Sequence, residues 1–201
     1  VPNKRSEGKR LAPLSERRDE ILEAAGQLFS QRGFHATSMR DLAQAVNLQG
    51  GSLYAHIDSK EELLLELVNR AAARFIAAAE AVPATLSSPE RLERLVRGHL
   101  EVIAEELGSA TVFFHEWKFL SPELQARVKA LRDTYEAYWL EAIGEGVRRG
   151  ELKVDDVRVA TLFVLSALNW TYQWYQPGGK LSLGALSEQY SQLILSALQA
   201  V

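Results

Sequence analysis

The stretch NLQGGSLYAHIDSK, residues 47–60, sets Tyr54, His56 and Lys60 just after two adjacent glycines. A phenol, an imidazole and an ammonium at this spacing can hydrogen-bond and carry charge. They lack what covalent or metal chemistry needs. Gly50-Gly51-Ser52 is not a nucleophile elbow, because no strand precedes it and no glycine follows two residues after the serine. The chain has no cysteine. Neither His99 nor His115 has a ligand-type partner three or four residues on, so the sequence predicts no metal site. No GxGxxG and no P-loop occurs. The paired acids Asp155-Asp156 stand where a helix should begin, and capping accounts for them. What remains is non-covalent recognition.

On a helical wheel, at about 100° per residue, Leu53 and Ile57 share one side and should be buried. Gly51, Ser52 and Ala55 occupy the opposite side, and all are small. Tyr54 and His56 lie on the flanks. A helix that reads the major groove enters by its N-terminal part, where small residues allow close approach. Polar flanks can then reach the two phosphate strands. The wheel also allows a second reading, in which Tyr54 and His56 pack inside their own module and Lys60 is an exposed helix charge. Each glycine costs up to about 1 kcal/mol of helix propensity, and a helix this short is not stable alone. Its anchor must be Leu53 and Ile57.

The elements that hold this segment read as helices. Ile21, Leu22, Ala25, Leu28 and Phe29 form one apolar stripe, which Gly33 ends. Ser38-Met39-Arg40-Asp41 has the form of a capping box. It opens a helix with Met39, Leu42, Ala43 and Val46 inward. Asn47-Leu48 turns the chain, since Asn tolerates the left-handed conformation. Two short helices across a tight turn make a helix-turn-helix. Ser59-Lys60-Glu61-Glu62 repeats the capping pattern and opens a long helix to about Val82. Ser88-Pro89-Glu90 and Ser121-Pro122-Glu123 place a cap before a first-turn proline. Gly108, Gly150 and Pro177-Gly178-Gly179 mark stops. The pattern predicts an all-α fold of about nine helices. Its parts are a flexible basic tail (1–14), a three-helix helix-turn-helix domain (15–58), and a helical ligand-binding and dimerisation body (59–201).

Of 201 residues, 47% are hydrophobic, enough for a sizeable core. A net charge of −3 speaks by itself against a nucleic-acid partner, but its distribution does not. Residues 1–60 hold nine Lys/Arg against seven Asp/Glu, and residues 61–201 hold fourteen against nineteen. Lys4, Arg5, Lys9, Arg10, Arg17 and Arg18 crowd the basic end, which either faces phosphates or is a solvated tail. VPNKRSEGKR contains no apolar leader-type run, and a cytoplasmic location is predicted.

Gly33-Phe34, Thr37, Asp41-Leu42-Ala43, Leu53-Tyr54, His56 and Ser59-Lys60-Glu61-Glu62-Leu63 recur at a specific spacing. With them, Arg17 to Leu65 resembles the DNA-binding region of TetR-family transcriptional regulators. The resemblance implies that Thr37 or Ser38, and Arg40, touch the phosphate backbone of a double-stranded operator. It implies that Gln49, Gly51, Ser52 and Ala55 lie along base edges. Tyr54 and His56 would hold phosphates, as would Lys60 at the start of the connecting helix. Two positions depart from the pattern. Asn47 stands where the family usually has Gly, and Gln49 where it often has Ser or Thr, which weakens the cap and bears on sequence preference.

In the body, aromatic residues concentrate at Phe113, Phe114, Trp117, Phe119, Tyr135, Tyr138, Trp139, Phe163, Trp170, Tyr172, Trp174 and Tyr175. They form either a tight core or an apolar pocket. In the pocket reading the candidate lining is Arg74, Phe114, Trp117, Tyr135, Tyr138, Asn169, Trp170 and Trp174, with His115 and Glu116 as further polar groups. From Val159 to Gly179 there is no charged residue. A helix apolar around its circumference must be covered on all sides. Its Thr161, Ser166, Asn169 and Gln173 and its marginal length speak against a membrane span. The segments at about 155–176 and 182–200 therefore predict a four-helix homodimer interface. Asn169-Trp170, Trp174-Tyr175, Pro177, Gly179 and Leu181-Ser182 resemble TetR-family regulators of fatty-acid and acyl-CoA degradation. That implies a repressor released from a near-palindromic operator by a hydrophobic effector such as an acyl-CoA, with no cofactor. Two other readings compete: a sensor of aromatic or cationic drugs controlling an efflux pump, and a helical carrier or enzyme without DNA binding. The missing catalytic motifs weigh against the latter.

Overall fold

The computed structural model describes residues 14–198. The basic tail expected at 1–14 lies outside them except for its last position. The described residues form nine α-helices and no strand: α1 Leu14–Arg32, α2 Met39–Ala45, α3 Gly50–Leu53, α4 Lys60–Glu80, α5 Ser88–Glu105, α6 Leu107–Thr111, α7 Pro122–Arg149, α8 Val157–Asn169 and α9 Leu183–Leu198. Helix α6 continues as a π-helical turn, Val112–Glu116, and then a 3-10 turn, Trp117–Phe119.

Local chemistry accounts for most of the boundaries. Ser38 and Asp41 close the expected capping box: the Ser38 hydroxyl accepts from the Asp41 N–H at 3.2 Å, and the Asp41 carboxylate accepts from the Ser38 N–H at 2.8 Å. Only half of the second box forms. Ser59 caps the Glu62 N–H at 3.0 Å, while the Glu62 carboxylate turns to the Asp58 N–H and to Arg18. The cap of α5 is Ser87 instead of Ser88, paired with Glu90. Ser88 is buried one residue inside the helix, its N–H donating to Glu151 at 2.7 Å. Asp156 caps α8 through the Arg158 and Val159 amides, as the capping reading of the paired acids required. Gly33 and Gly150 end α1 and α7 in the left-handed region, at φ 86° and 72°. Gly108 is not a stop: α5 has already ended at Glu105, and Gly108 lies within α6. A Cβ there would stand 3.3 Å from the Gly26 carbonyl carbon and oxygen, so this glycine lets α6 cross α1 closely.

One core runs through the described residues. Ile21, Leu22, Phe29, Leu42, Leu53 and Ile57 pack under the N-terminal module and meet Leu63, Leu64 and Leu67 of α4. Helix α4 continues into the body, where Phe75 joins Leu92, Leu100, Ile103, Trp139 and Ile143. Helices α8 and α9 bury one side each. Val159, Leu162, Phe163, Trp170, Trp174 and Leu193 remain exposed. Among the described residues, no helix is long and apolar enough to cross a membrane.

Candidate nucleic-acid interface and effector cavity

Helices α2 and α3 form the expected helix-turn-helix. Asn47 takes φ 54°, the one positive φ on a non-glycine residue among those described. Its N–H bonds the Gln44 carbonyl at 3.1 Å and the Leu48 N–H bonds Ala43 at 2.8 Å, which turns the chain at once. Helix α3 is shorter than the wheel suggested. It ends at Leu53, and Tyr54 to His56 tighten into a turn through the His56 N–H to the Leu53 carbonyl at 2.9 Å. Gln49 occupies the N-cap with no side-chain bond, the weak cap its side chain implied. Leu53 is 0% exposed and Ile57 2%, so the inward anchors are as expected. Gly51, Ser52 and Ala55 face outward, and nothing lies within 4 Å of a Cβ built on Gly50 or Gly51. Their value is therefore an open, low-relief surface, not a tight internal fit. Tyr54 is 58% exposed and His56 half-buried, so Tyr54 does not pack inside the module.

The other candidate phosphate contacts divide. Ser38 and Arg40 are exposed at the start of α2. Thr37 is 1% exposed, and its hydroxyl donates to the Gly33 carbonyl at 2.9 Å, which removes its side chain from the surface. The Lys60 ammonium turns back into the module. It donates to the carbonyls of Phe34 at 2.6 Å and Thr37 at 2.8 Å, and sits 4.3 Å over the Phe34 ring. Partial burial lowers its pKa. Two of its three N–H donors are thus engaged, leaving one for a phosphate. Arg17 and Arg18, counted with the basic end, are internal staples. Arg17 donates to the Val46 carbonyl at 2.6 Å, closing the end of α2. Arg18 donates to the His56 carbonyl at 2.6 Å and pairs with Glu62 and Glu66 of α4. Those carboxylates raise the Arg18 pKa, and Arg18 lowers that of Glu62.

In the body, a cavity of about 210 Å³ opens between α7, α8 and the π turn. It is lined by Phe113, Arg132, Tyr135, Leu165 and Asn169 among others. Tyr135 and Asn169 come from the predicted set. Phe114 and Trp117 stand behind it, Phe114 stacked on Tyr172 at 5.6 Å and Trp117 under the Arg132 guanidinium at 5.4 Å. The sequence reading missed Arg132. Among the described residues it forms no ion pair: it donates to the Phe113 carbonyl at 3.3 Å and lies over the Phe113 ring at 5.3 Å. Burial lowers its pKa. The signal was faint, a basic residue three positions before Tyr135 on a helix rich in charge.

The rest of the predicted lining lies elsewhere. Arg74 pairs with Glu105 and Glu106 in a separate polar cleft of about 460 Å³ between α1, α4 and α6. Tyr138 donates to Glu80 at 2.9 Å on the outer side of α7. Trp170 and Trp174 are exposed, Trp170 at 63%, on the apolar stripe of α8 and the loop that follows. His115 is exposed. Glu116 is buried, and its carboxylate accepts from the Phe34 N–H at 2.7 Å, facing the N-terminal module and not the cavity. The π turn thus carries a cavity wall, Phe113, at one end and a bond to the N-terminal module at the other. π-helical turns inside helices recur at functional sites.

Comparison with known proteins agrees with this geometry. Residues 21–67 match the family model described as bacterial regulatory proteins, tetR family, and residues 85–198 match that of the tetracyclin repressor-like C-terminal domain. The chain is 32% identical over 187 residues to the HTH-type transcriptional repressor KstR2 of Rhodococcus jostii (strain RHA1), covering 92% of each. Its fold is similar to the crystal structure of the TetR family transcriptional regulator PfmR from Thermus thermophilus, with a TM-score of 0.81 and 36% identity over 88% of this chain and 97% of that one. It is also similar to the structure of AibR in complex with isovaleryl coenzyme A and operator DNA, with a TM-score of 0.79 and 27% identity over 90% of this chain and 97% of that one.

Proposed function

Since the chain belongs to the TetR family of bacterial regulatory proteins, we propose that it is a cytoplasmic, non-catalytic, ligand-responsive repressor that binds a near-palindromic operator as a homodimer. The observation that carries this is the outward face of α3 and its turn: Gly51, Ser52 and Ala55 free of cover, with Leu53 and Ile57 fixed behind them. Gln49, Gly51, Ser52 and Ala55 approach base edges. Ser38, Arg40, Tyr54 and His56 reach phosphates, with help from the remaining Lys60 N–H. Thr37 supports the turn from inside.

The exposed apolar stripe of α8 and α9 is what a second copy covers. Val159, Leu162, Phe163 and Leu193 make it large for a solvated surface. Pairing through it sets two reading heads about one helical turn of DNA apart, roughly 34–36 Å or a related spacing.

The effector is a hydrophobic acyl-CoA, read in the cavity of Arg132, Tyr135 and Asn169. Support comes from that cavity's mixed lining and from the AibR complex, which holds isovaleryl coenzyme A. A ligand shifts an equilibrium only by its differential affinity for two states. Pressure on Phe113 would displace the π turn, and with it Glu116 and the Phe34 N–H at the edge of the reading module. The test is a binding assay on the gene's own upstream DNA, with and without acyl-CoAs of several chain lengths. We expect nanomolar-range operator binding that an acyl-CoA relieves. Indifference to the upstream DNA at low salt defeats the regulator reading, and operator binding that no acyl-CoA alters defeats the effector reading.

A further inference from the structure

Next to the cavity, and sharing Tyr135 with it, lies a buried polar cluster. His99 of α5 and Trp139 of α7 are 1% and 0% exposed, enclosed by Phe75, Phe114 and Tyr135. The His99 Nδ1 and the Tyr135 hydroxyl are 2.8 Å apart. The other imidazole nitrogen, Nε2, has no partner, and neither has the Trp139 indole N–H. The indole lies near the Tyr135 hydroxyl without making a hydrogen bond to it. Burial holds His99 neutral, its pKa down to about 3, and keeps the Tyr135 phenol protonated. Two buried polar atoms are therefore left without hydrogen bonds inside an aromatic shell. Native structures pair the great majority of such atoms, and an orphan calls for a reason. An indole N–H can only donate. We assign the Tyr135 hydroxyl as donor to Nδ1, which puts the proton of the neutral imidazole on Nε2, where it donates as well. Tyr135 is common to this cluster and to the cavity lining.

We infer that His99, Tyr135 and Trp139 form the deep end of the effector site and receive a hydrogen-bond-accepting oxygen borne on the hydrophobic part of the effector. This deepens the effector assignment above and rests on its placing of the site. The effector is then an oxygenated apolar molecule, such as a keto-bearing acyl chain or ring, in preference to a plain saturated chain. A saturated tail in this place would leave both donors unpaired. A carbonyl oxygen has two lone pairs to offer them.

The experiment uses two matched probe pairs on the full chain. Butyrophenone and butylbenzene carry no CoA and differ by one keto oxygen. The second pair is 9-oxodecanoyl-CoA and decanoyl-CoA. Binding is read by tryptophan fluorescence and by the ¹⁵N shift of the His99 imidazole. We expect butyrophenone to bind about tenfold more tightly than butylbenzene, the value of one well-made hydrogen bond in a dry site. The Nε2 resonance should move with the ketone alone. Trp139→Phe keeps the ring and removes the N–H, and His99→Gln provides a second variant. Either should cut the ratio at least threefold. Equal affinity within the aromatic pair, binding of neither, or a ratio untouched by both variants overturns the inference. The CoA pair separates the two readings. If the ketone preference holds but neither thioester releases DNA, the acyl-CoA reading fails and this one stands. If both thioesters release DNA equally and the aromatic pair shows no preference, the reverse is true.

Discussion

Replacing Lys60 by Met separates two roles that the sequence could not tell apart. The family resemblance assigns Lys60 to a phosphate. In the structure its ammonium ties the start of α4 to the carbonyls of Phe34 and Thr37 and covers the Phe34 ring. Methionine keeps the length of the stem and removes the donor. Hydrogen bonds from a charged group contribute about 1.5–3 kcal/mol each. The site is only partly buried, so water can reach the freed carbonyls, and the lower end applies. The two bonds together should contribute about 3 kcal/mol. For a chain of this size that lowers Tm by about 6–12 °C. Amides of α2 and α3 should lose hydrogen-exchange protection before those of α5 and α7. A lost phosphate contact has another signature. It reduces the slope of log K against log salt by about 0.9 and leaves Tm alone. Lys60→Met should therefore lower Tm and loosen the reading module, with a slope change well under one contact. An unaltered Tm with a slope reduced by a full contact refutes the staple and restores Lys60 to the phosphate.

Three further outcomes follow from the same geometry. Tyr54→Phe removes an exposed hydroxyl and should weaken operator and unrelated DNA alike, by about three- to tenfold; a change in sequence preference measured on a set of operator variants contradicts the phosphate role. Gly108→Ala puts a methyl 3.3 Å from the Gly26 backbone, an overpacking that costs about 1–3 kcal/mol and pushes α1 from α6. It should weaken operator binding without altering the DNA-facing surface and, by shifting the population toward the effector-bound conformation, tighten effector binding; calorimetry showing effector affinity unmoved disproves the coupling. His99 should give the folded protein a particular pH dependence. Its folded pKa, about 3, lies below the unfolded value, so between those limits the unfolded chain binds one more proton. The stability it confers is complete above about pH 6.5 and is lost as pH falls, at about 1.4 kcal/mol per unit. Between pH 6.5 and 5 carboxylates scarcely titrate, so His99→Gln should flatten denaturant-measured stability in that window.

The helices were legible because caps, stops and 3.6-residue spacing are local signals. Ser38 with Asp41, Asp156, Gly33 and Gly150 each act within a few residues of themselves. The left-handed turn at Asn47 and the inward Leu53 and Ile57 were legible for the same reason. Misreadings came where a residue's partner is remote in sequence. Gly108 looked like a stop, but it answers to Gly26, across a helix crossing. Thr37 and Lys60 looked like surface groups, but they answer to carbonyls at Gly33 and Phe34. Glu116 and Arg74 looked like cavity groups, and each is drawn to a partner on another helix, the Phe34 amide and the Glu105-Glu106 pair. Arg132 and His99 carried no motif at all. Only packing shows that one is a largely buried cation that forms no ion pair among the described residues and the other a buried imidazole with an idle nitrogen.

On the proposed function, these remote partners also explain how so small a reading element would be governed from a distance. Helix α3 is one turn long, begins with two glycines and has no side-chain cap. It holds its shape through groups that belong to other elements. Arg18 grips its trailing turn at the His56 carbonyl while paired to α4, Lys60 fixes the loop before α2, and Glu116 of the body holds Phe34. A self-sufficient helix would keep its conformation whatever the body did, and an effector could move it only as a rigid whole. Here the supports of α3 lie on α1, on α4 and, through Phe34, on the π turn that walls the cavity. A shift of a few tenths of an ångström at that turn acts on the supports themselves. On the proposed function, the glycines that would open the surface to DNA also leave the segment dependent on contacts outside itself.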